Sequence, residues 1–537
     1  MKKQFSERFG SAGGLRVGCL RLTGGPGQKP SRLRGPCETS WSAKRVRIFA
    51  RWNMKKALVG AVLLSSGAFA QDAARTLDAA AKAMGITNLT SIEYTGSGSA
   101  YNFGQAMRAN LPWPQQFIFK NYVADVDYST PALREEMYRL LPDGSVPGGF
   151  GPTMIQFMKG NDAWNVTGVP PVPGPATRFA GAGNPFPATL AERQLAIWLT
   201  PPGFVKGAQA NHPTQKGKVI TFMTPDHHKI VGTLDAQKMI VKTETWIDSP
   251  VVGDMPIETI FSNYKDFDSV KFPTTISQSQ GGHLFLQLTV SEVKSNAAVA
   301  FDVPNNVKNA SAPVVRMKSE QIGDGIWYVT GSAQHSLVAE FNDYVVLIES
   351  PLDEANESAV IAEAHKLVPN KPIKYSVNTH NGFDHSGGVR TAAAEGAIIV
   401  TPASNKAYYE KIFANPHTLN PDKLAQSKKK AKVEGVQGKR VLTDGTHEID
   451  LYVQPIDDHN DAMMLIYFPK EKILSEADAF SPPPQPAAAA PAKPNPWSVQ
   501  LYNEIQQLHL DVDKIAPIHN RMTSLAELKK MIGKSSN

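Results

Sequence analysis

The chain has 537 residues, 42% of them hydrophobic, which is too long for one ordinary domain and apolar enough for two or three cores. Its formal charge of +7 is unevenly spread: residues 1–53 carry +10, residues 54–70 another +2, and everything from Gln71 onward is net −5. Overall basicity is therefore no argument for a nucleic-acid or anionic-membrane partner, and no nucleic-acid partner is expected.

Residues 1–53 are rich in Arg, Gly and Pro and show no helical or strand periodicity. They read as a non-native leader, the alternative being a disordered or targeting extension. From Met54, "MKKALVGAVLLSSGAFAQ" places two lysines, an apolar run Ala57–Leu64 and the small-residue site Ala68-Phe69-Ala70 in the order of a secretory signal. The apolar run is too short to span a bilayer, and no transmembrane segment is expected elsewhere. Translation from Met54 and cleavage after Ala70 are expected, so residues 54–70 are the signal peptide. Cys19 and Cys37 both lie upstream of that point. The mature chain then holds no thiol for a disulfide or a metal, which suits a bacterial periplasmic or secreted protein.

Residues 71–310 predict a β-rich domain. "DAARTLDAAAKAMG" has helical apolar spacing and stops at Gly85, a C-cap. A Gly/Pro-rich loop is expected over 141–189, then a helix, "LAERQLAIWL". "KVITFMTP" and "KMIVKTETWID" read as strands. In "HLFLQLTVSEV", Leu284, Leu286, Leu288 and Val290 share one face, the pattern of a half-buried strand. "WIDSPVVGDMPIETIFSNYKDFDSVKFPTTI" resembles the repeating hairpins of periplasmic lipoprotein-carrier-like half-barrels. That resemblance implies a support or substrate-positioning domain, with a lipid-like ligand as one option.

After the polar linker "VPNNVKNASAPV", residues 316–537 predict a second, α/β-layered domain. "IWYVTG" is a strand, and "HSLVAEFNDYVVLIES" a hairpin turning at Asn342-Asp343. Residues 353–368 place Val360, Ile361, Ala364, Leu367 and Val368 on one helical face. "IKYSV" is the next strand, with a helix expected near Gly387-Gly388. Lys428–Lys430 and Lys432 read as the solvated face of a polar helical stretch. "MMLIYFPKEKILSEAD" repeats the hairpin plan, so two β-rich halves with helices outside are expected. The Pro/Ala-rich "FSPPPQPAAAAPAKPNPW" cannot form a stable helix and is read either as a lid ending at Trp497 or as a plain insertion.

"NTHNGFDHSGG", residues 378–388, follows the strand "IKYSV". In an extended loop, residues two apart point the same way, so a His-x-His pair offers two imidazoles to one ion. An adjacent Asp-His at a helix start offers ligands to a second ion, with small glycines behind to avoid clashes. His380, Asp384 and His385 fill this pattern, but Gly382 stands where a second histidine would fit.

With its downstream company, this stretch resembles the metallo-β-lactamase-fold hydrolases, whose signature is His-x-His-x-Asp-His. His459 in "PIDDHNDAMMLIYFP", Asp478 in "EKILSEADAF" and His519 in "DKIAPIHNRM" follow in the family's order. The resemblance covers 316–537 and implies an α+β fold, a four-layer αββα sandwich preceded by the β-rich domain. It implies a first metal on His380, His459 and Asp478, one imidazole short at Gly382. The second site, on Asp384, His385, His519 and the shared Asp478, is complete. Zinc is expected, one ion tight and its neighbour weak or absent; iron or manganese also suits these nitrogen and oxygen donors. Asp384 is the expected catalytic base. An aspartate at 478, in a chain without mature cysteines, resembles the glyoxalase, lactonase and nuclease-like branches. The function implied is a secreted hydrolase acting through an activated water on an ester, lactone, thioester or related bond, with a small-molecule or lipid-like substrate. The alternatives are a catalytically impaired metal-binding protein and a lipid- or lipoprotein-binding protein.

Overall fold

A computed structural model of the protein describes residues 71–147, 151–167, 184–185, 189–308, 310, 314–456, 459–485 and 491–534. The expected leader and signal, residues 1–70, lie outside the described residues. Everything described falls within one compact unit, Ser65–Asn537.

The first part of that unit is a 13-stranded sheet, every neighbouring pair antiparallel. The helix at 71–83 buries Ala73, Leu77, Ala80 and Ala81 at helical spacing, and Met84 just beyond its end is buried too. It is closed by Gly85 at φ +70°, with the Ile86 amide bonded back to Ala81 O at 2.9 Å. Strand His283–Ser295 buries Leu288 and Val290 and exposes Gln287, Thr289 and Ser291, as its alternation predicts.

Helix Leu190–Leu199 shows that this sheet is curved. Arg193 donates to Phe157 O and Trp164 O at 2.8 and 2.9 Å, while Leu199 O accepts from Thr243 Oγ1 at 2.8 Å. Strands Thr153–Lys159 and Ile240–Ser249, which carry Phe157 and Thr243, stand seven positions apart in the sheet order. In a flat sheet that separation is about 34 Å, whereas a ten-residue helix reaches about 15 Å. The sheet must therefore wrap into a trough, and its inner face is packed against the helices in one continuous apolar core.

Two expectations fail here. The expected loop over 141–189 contains, among its described residues, the hairpin Thr153–Lys159/Asp162–Thr167, turning at Gly160 with φ +60°, and a two-residue strand, Asn184–Pro185, paired to it. Their alternating residues were masked by flanking Gly and Pro, and Phe157 stacks on Trp164 at 4.9 Å to supply the missing burial energy. Lys432 opens strand Lys432–Val436, which pairs in parallel with Ile398–Pro402. Sheet pairing overrides the polar helical pattern there, whereas Lys428–Lys430 are exposed as expected.

The second part begins at strand Lys318–Gly323 and has a seven-stranded and a six-stranded sheet. One apolar core fills the space between them. A second lies outside the first sheet, beneath helices Glu354–Leu367, Val389–Glu395 and Lys406–Phe413. A third lies outside the other sheet, beneath Pro496–Gln507 and Leu525–Met531. This is the expected αββα sandwich. The hairpin Ser336–Glu340/Val345–Ile348 turns through Asn342-Asp343 as read from sequence. No helix among the described residues is long and apolar enough to cross a membrane.

The two parts are pinned together beside the candidate site. Asn415 Nδ2 donates to Val252 O at 3.0 Å, and Asp254 accepts from the Thr418 and Leu419 amides at 2.8 and 3.0 Å. The long loop at 102–114, between strands Ser91–Tyr101 and Gln115–Asp127, lies against the motif at 381–384.

Candidate metal centre

Strand Ile373–Val377 delivers the motif to the edge of the sandwich. Its backbone continues into 378–382 and then a one-turn helix, Phe383–Ser386, whose second and third residues are Asp384 and His385. The helix thus starts slightly before the expected glycines. Those glycines permit close approach: a Cβ on Gly387 would lie 1.7 Å from Leu352 O, and one on Gly388 2.6 Å from Glu357 Cβ.

All six residues singled out in the sequence meet around Asp478. Asp478 Oδ2 stands 3.5 Å from His380 Nε2, 3.2 Å from His385 Nε2 and 3.2 Å from His459 Nε2; its Oδ1 is 2.9 Å from His519 Nε2. Asp384 Oδ2 is 3.3 Å from His385 Nε2. Asp478 follows strand Ile473–Glu476 with φ +65°, a left-handed backbone that costs energy in a residue other than glycine and is found at sites where side-chain aim matters. His380 and His385 are buried, while the Asp384 and His519 side chains are 31% and 21% exposed, so the cluster opens on that side.

The grouping differs from the expected one in one respect. Asp384, His385 and His519 converge as a trio. His380 groups with His385 and Asp478, its ring centroid 4.4 Å from that of His385 and 5.4 Å from that of His459. Gly382 leaves room beside this ring. The Cβ of any side chain there would fall 2.5 Å from His380 Nε2. With no side chain, nothing keeps the His380 ring out of that space.

Hydrogen bonding fixes the His380 tautomer. Thr379 Oγ1 donates to Glu349 Oε2 at 2.6 Å, so toward His380 Nδ1, at 3.1 Å, it can only accept. The proton therefore sits on Nδ1, and Nε2 turns a lone pair toward the Asp478 carboxylate with no hydrogen-bond partner of its own. Burial pushes His380 well below the ordinary histidine value, and the neighbouring His385 adds to this, so the ring stays neutral. A lone pair facing a buried carboxylate is unfavourable unless a cation lies between them. The His385 and His519 Nε2 atoms stand 3.1 Å apart in the same cluster. The residues present thus fit a divalent cation.

Charge supports this fit. Burial would raise the Asp478 carboxyl, but His385 and the hydrogen bonds from His385, His459 and His519 hold it well below its usual range. Burial would likewise lower His385, yet Asp478 and Asp384 outweigh it and keep it well above its usual value. Such an imidazolium occupies the place of the missing positive charge and must yield its proton to a metal.

Several contributors carried no sequence signal. Glu349, fully buried at φ +68°, places Oε2 3.4 Å from His385 Nδ1, an ion-pair contact on the side of the ring away from Asp478. Gln334 Nε2 donates to Asp384 Oδ2 at 2.9 Å. Gln105, from the trough, donates to Asp384 Oδ1 at 2.6 Å. His335, pushed down to about 4 by burial and by His519, stays neutral beside Tyr328. Trp497, at the far end of the Pro/Ala-rich stretch, lies 4.7 Å from the His459 ring, so that end of the stretch does border the site. Residues 457–458 and 486–490 lie outside the described residues.

The second part is thus an αββα sandwich with a His/Asp cluster just past the ends of interior strands of its two sheets. Residues 329–519 match the family model described as the metallo-beta-lactamase superfamily. Among solved structures, the chain is similar to a metallo-beta-lactamase from Pontibacter korlensis at 16% identity and TM-score 0.32, covering 40% of this chain and 97% of that one. It is also similar to the FIM-1 metallo-beta-lactamase from Pseudomonas aeruginosa in the mono-zinc form, at 18% identity and TM-score 0.32, covering 41% and 95%. A metallo-beta-lactamase from Hirschia baltica gives 18% identity and TM-score 0.31, covering 40% and 96%. No curated protein sequence matches the chain.

Proposed function

We propose that the protein is a secreted or periplasmic hydrolase in which His380, Asp384, His385, His459, Asp478 and His519 hold zinc, one ion tightly and a second weakly or not at all. The observation that carries this reading is the convergence of four imidazoles on Asp478, with the buried His380 Nε2 left without a hydrogen-bond partner. A divalent cation held there would supply Lewis acidity toward a scissile carbonyl and make a nearby water easier to deprotonate. Asp384, half-buried at the mouth and oriented through both oxygens, is placed to take that proton. His385 Nδ1 faces Glu349, and His380 is aligned by Thr379.

The trough, read as a domain over 71–310 beside the hydrolase domain over 316–537, positions the substrate. A cavity of about 550 Å³ runs between the two parts, with Asp384 at its edge. Phe103, Ile247, Val251 and Met255 line it from the trough, and Leu352 and Phe383 from the sandwich. This composition suits an apolar substituent on an ester, lactone or thioester. A lipid carried inside the trough is disfavoured, because helix side chains fill its inner face. The impaired, metal-binding reading keeps one supporting observation, the missing imidazole at Gly382.

A panel of nitrophenyl esters, lactones, thioesters and phosphodiesters, assayed on protein loaded with zinc, iron or manganese, tests the proposal. Turnover that stops on chelation and returns with metal is expected on at least one member. Turnover untouched by chelation would contradict the mechanism, and metal-loaded protein inert on the whole panel would favour the impaired reading.

A further inference from the structure

We infer that Gln105 is a positioning residue of the metal centre, contributed by the trough rather than by the sandwich that holds every candidate ligand. The inference rests on the metal-centre reading given above. The Asp384 carboxylate has two oxygens with different duties. Oδ2 turns toward His385 Nε2 at 3.3 Å. Oδ1 accepts from Gln105 Nε2 at 2.6 Å. A carboxylate can rotate about its last torsion and is broadly distributed there. Gln334 Nε2, from the sandwich, donates to Oδ2 at 2.9 Å, and the Gln105 amide holds the opposite oxygen, so the rotation is fixed from both sides only when Gln105 is in place.

The amide is itself held on both sides. Gly104, at φ +74°, lies so close to Phe383 that a Cβ would fall 2.3 Å from its ring. Phe103 meets the same ring edge-on at 5.3 Å, and Trp113 at 6.0 Å. Ala106 O accepts from Asn381 Nδ2 at 3.0 Å, and Arg108 pairs with Asp461. The loop therefore grips residues 381 and 383 on either side of Gly382 while it bonds to Asp384. The sandwich alone lacks this donor, so the outer shell of its metal centre is complete only with the trough in place.

The test uses the full chain, stripped of metal with a chelator and titrated with Co²⁺ against a competing chelator, following the visible absorption of the bound ion. Gln105→Met keeps the side-chain length and removes the donor. It is expected to weaken Co²⁺ binding by about 10- to 100-fold and to alter the absorption bands, with the melting temperature unchanged. Arg108→Ala loosens the same loop at an exposed ion pair without touching Asp384, and is expected to change affinity less than about fivefold. Equal Co²⁺ binding by Gln105→Met and the wild type would overturn the inference. Equal weakening in Gln105→Met and Arg108→Ala would also overturn it, since loop anchoring would then explain the effect. A wild-type chain that binds no Co²⁺ would instead refute the underlying metal-centre reading.

Discussion

Asp478→Ala is expected to leave the purified protein without bound metal after dialysis and without measurable metal-dependent hydrolysis. Both oxygens of this carboxylate are engaged, and all four candidate histidines point at it from 2.9 to 3.5 Å. Changes in the outer shell of a metal site already cost 10- to 100-fold, so loss of the shared inner carboxylate should exceed about a hundredfold in affinity. The fold should survive, because Asp478 lies beyond the end of strand Ile473–Glu476 and contributes no sheet pairing. Elemental analysis and circular dichroism on the same sample check both halves of the expectation. A variant that keeps wild-type metal content would move the ligands elsewhere.

Gly387→Ala is expected to destabilise the protein by more than about 3 kcal/mol, the upper end of overpacking effects. The added methyl would stand 1.7 Å from Leu352 O, a backbone atom that no rotamer change can move. The loop at 350–353 is also tied to the motif by Leu352 N to Asp384 O and Gly388 N to Ser350 O, both 2.9 Å. Relief must therefore displace the turn that carries Asp384 and His385. A fall in melting temperature with a parallel loss of metal is expected in thermal scans with and without added zinc. An unchanged melting temperature would show that the close approach relaxes freely.

His380, Asp384 and His385 could be picked out from residue type and spacing alone, whereas His459, Asp478 and His519 were reached only through the resemblance of their order to the metallo-β-lactamase-fold hydrolases. His380, Asp384 and His385 lie within one short loop, and His459, Asp478 and His519 each follow a recognisable strand. Gln105 was not legible: a neutral amide 279 residues from its partner leaves no spacing to read. Glu349 looked like the polar end of a hairpin, and only its backbone turn at φ +68° and complete burial reveal its aim. The altered position of His380 could not be read either, since the role of Gly382 depends on which ring fills the space it leaves. In the fold, strong alternation identified His283–Ser295, while the hairpin over 153–167 was hidden by flanking glycine and proline. Its stabilising contacts, Trp164 on Phe157 and Arg193 on their carbonyls, come from tertiary packing.

Metal stoichiometry at equilibrium is the most direct test of the central claim. Metal-stripped full-length protein, titrated with zinc in the presence of a chromophoric chelator, is predicted to bind one ion per chain tightly. Any second ion should bind far more weakly, because Gly382 supplies no imidazole. No binding, or two ions bound with equal affinity, would contradict it.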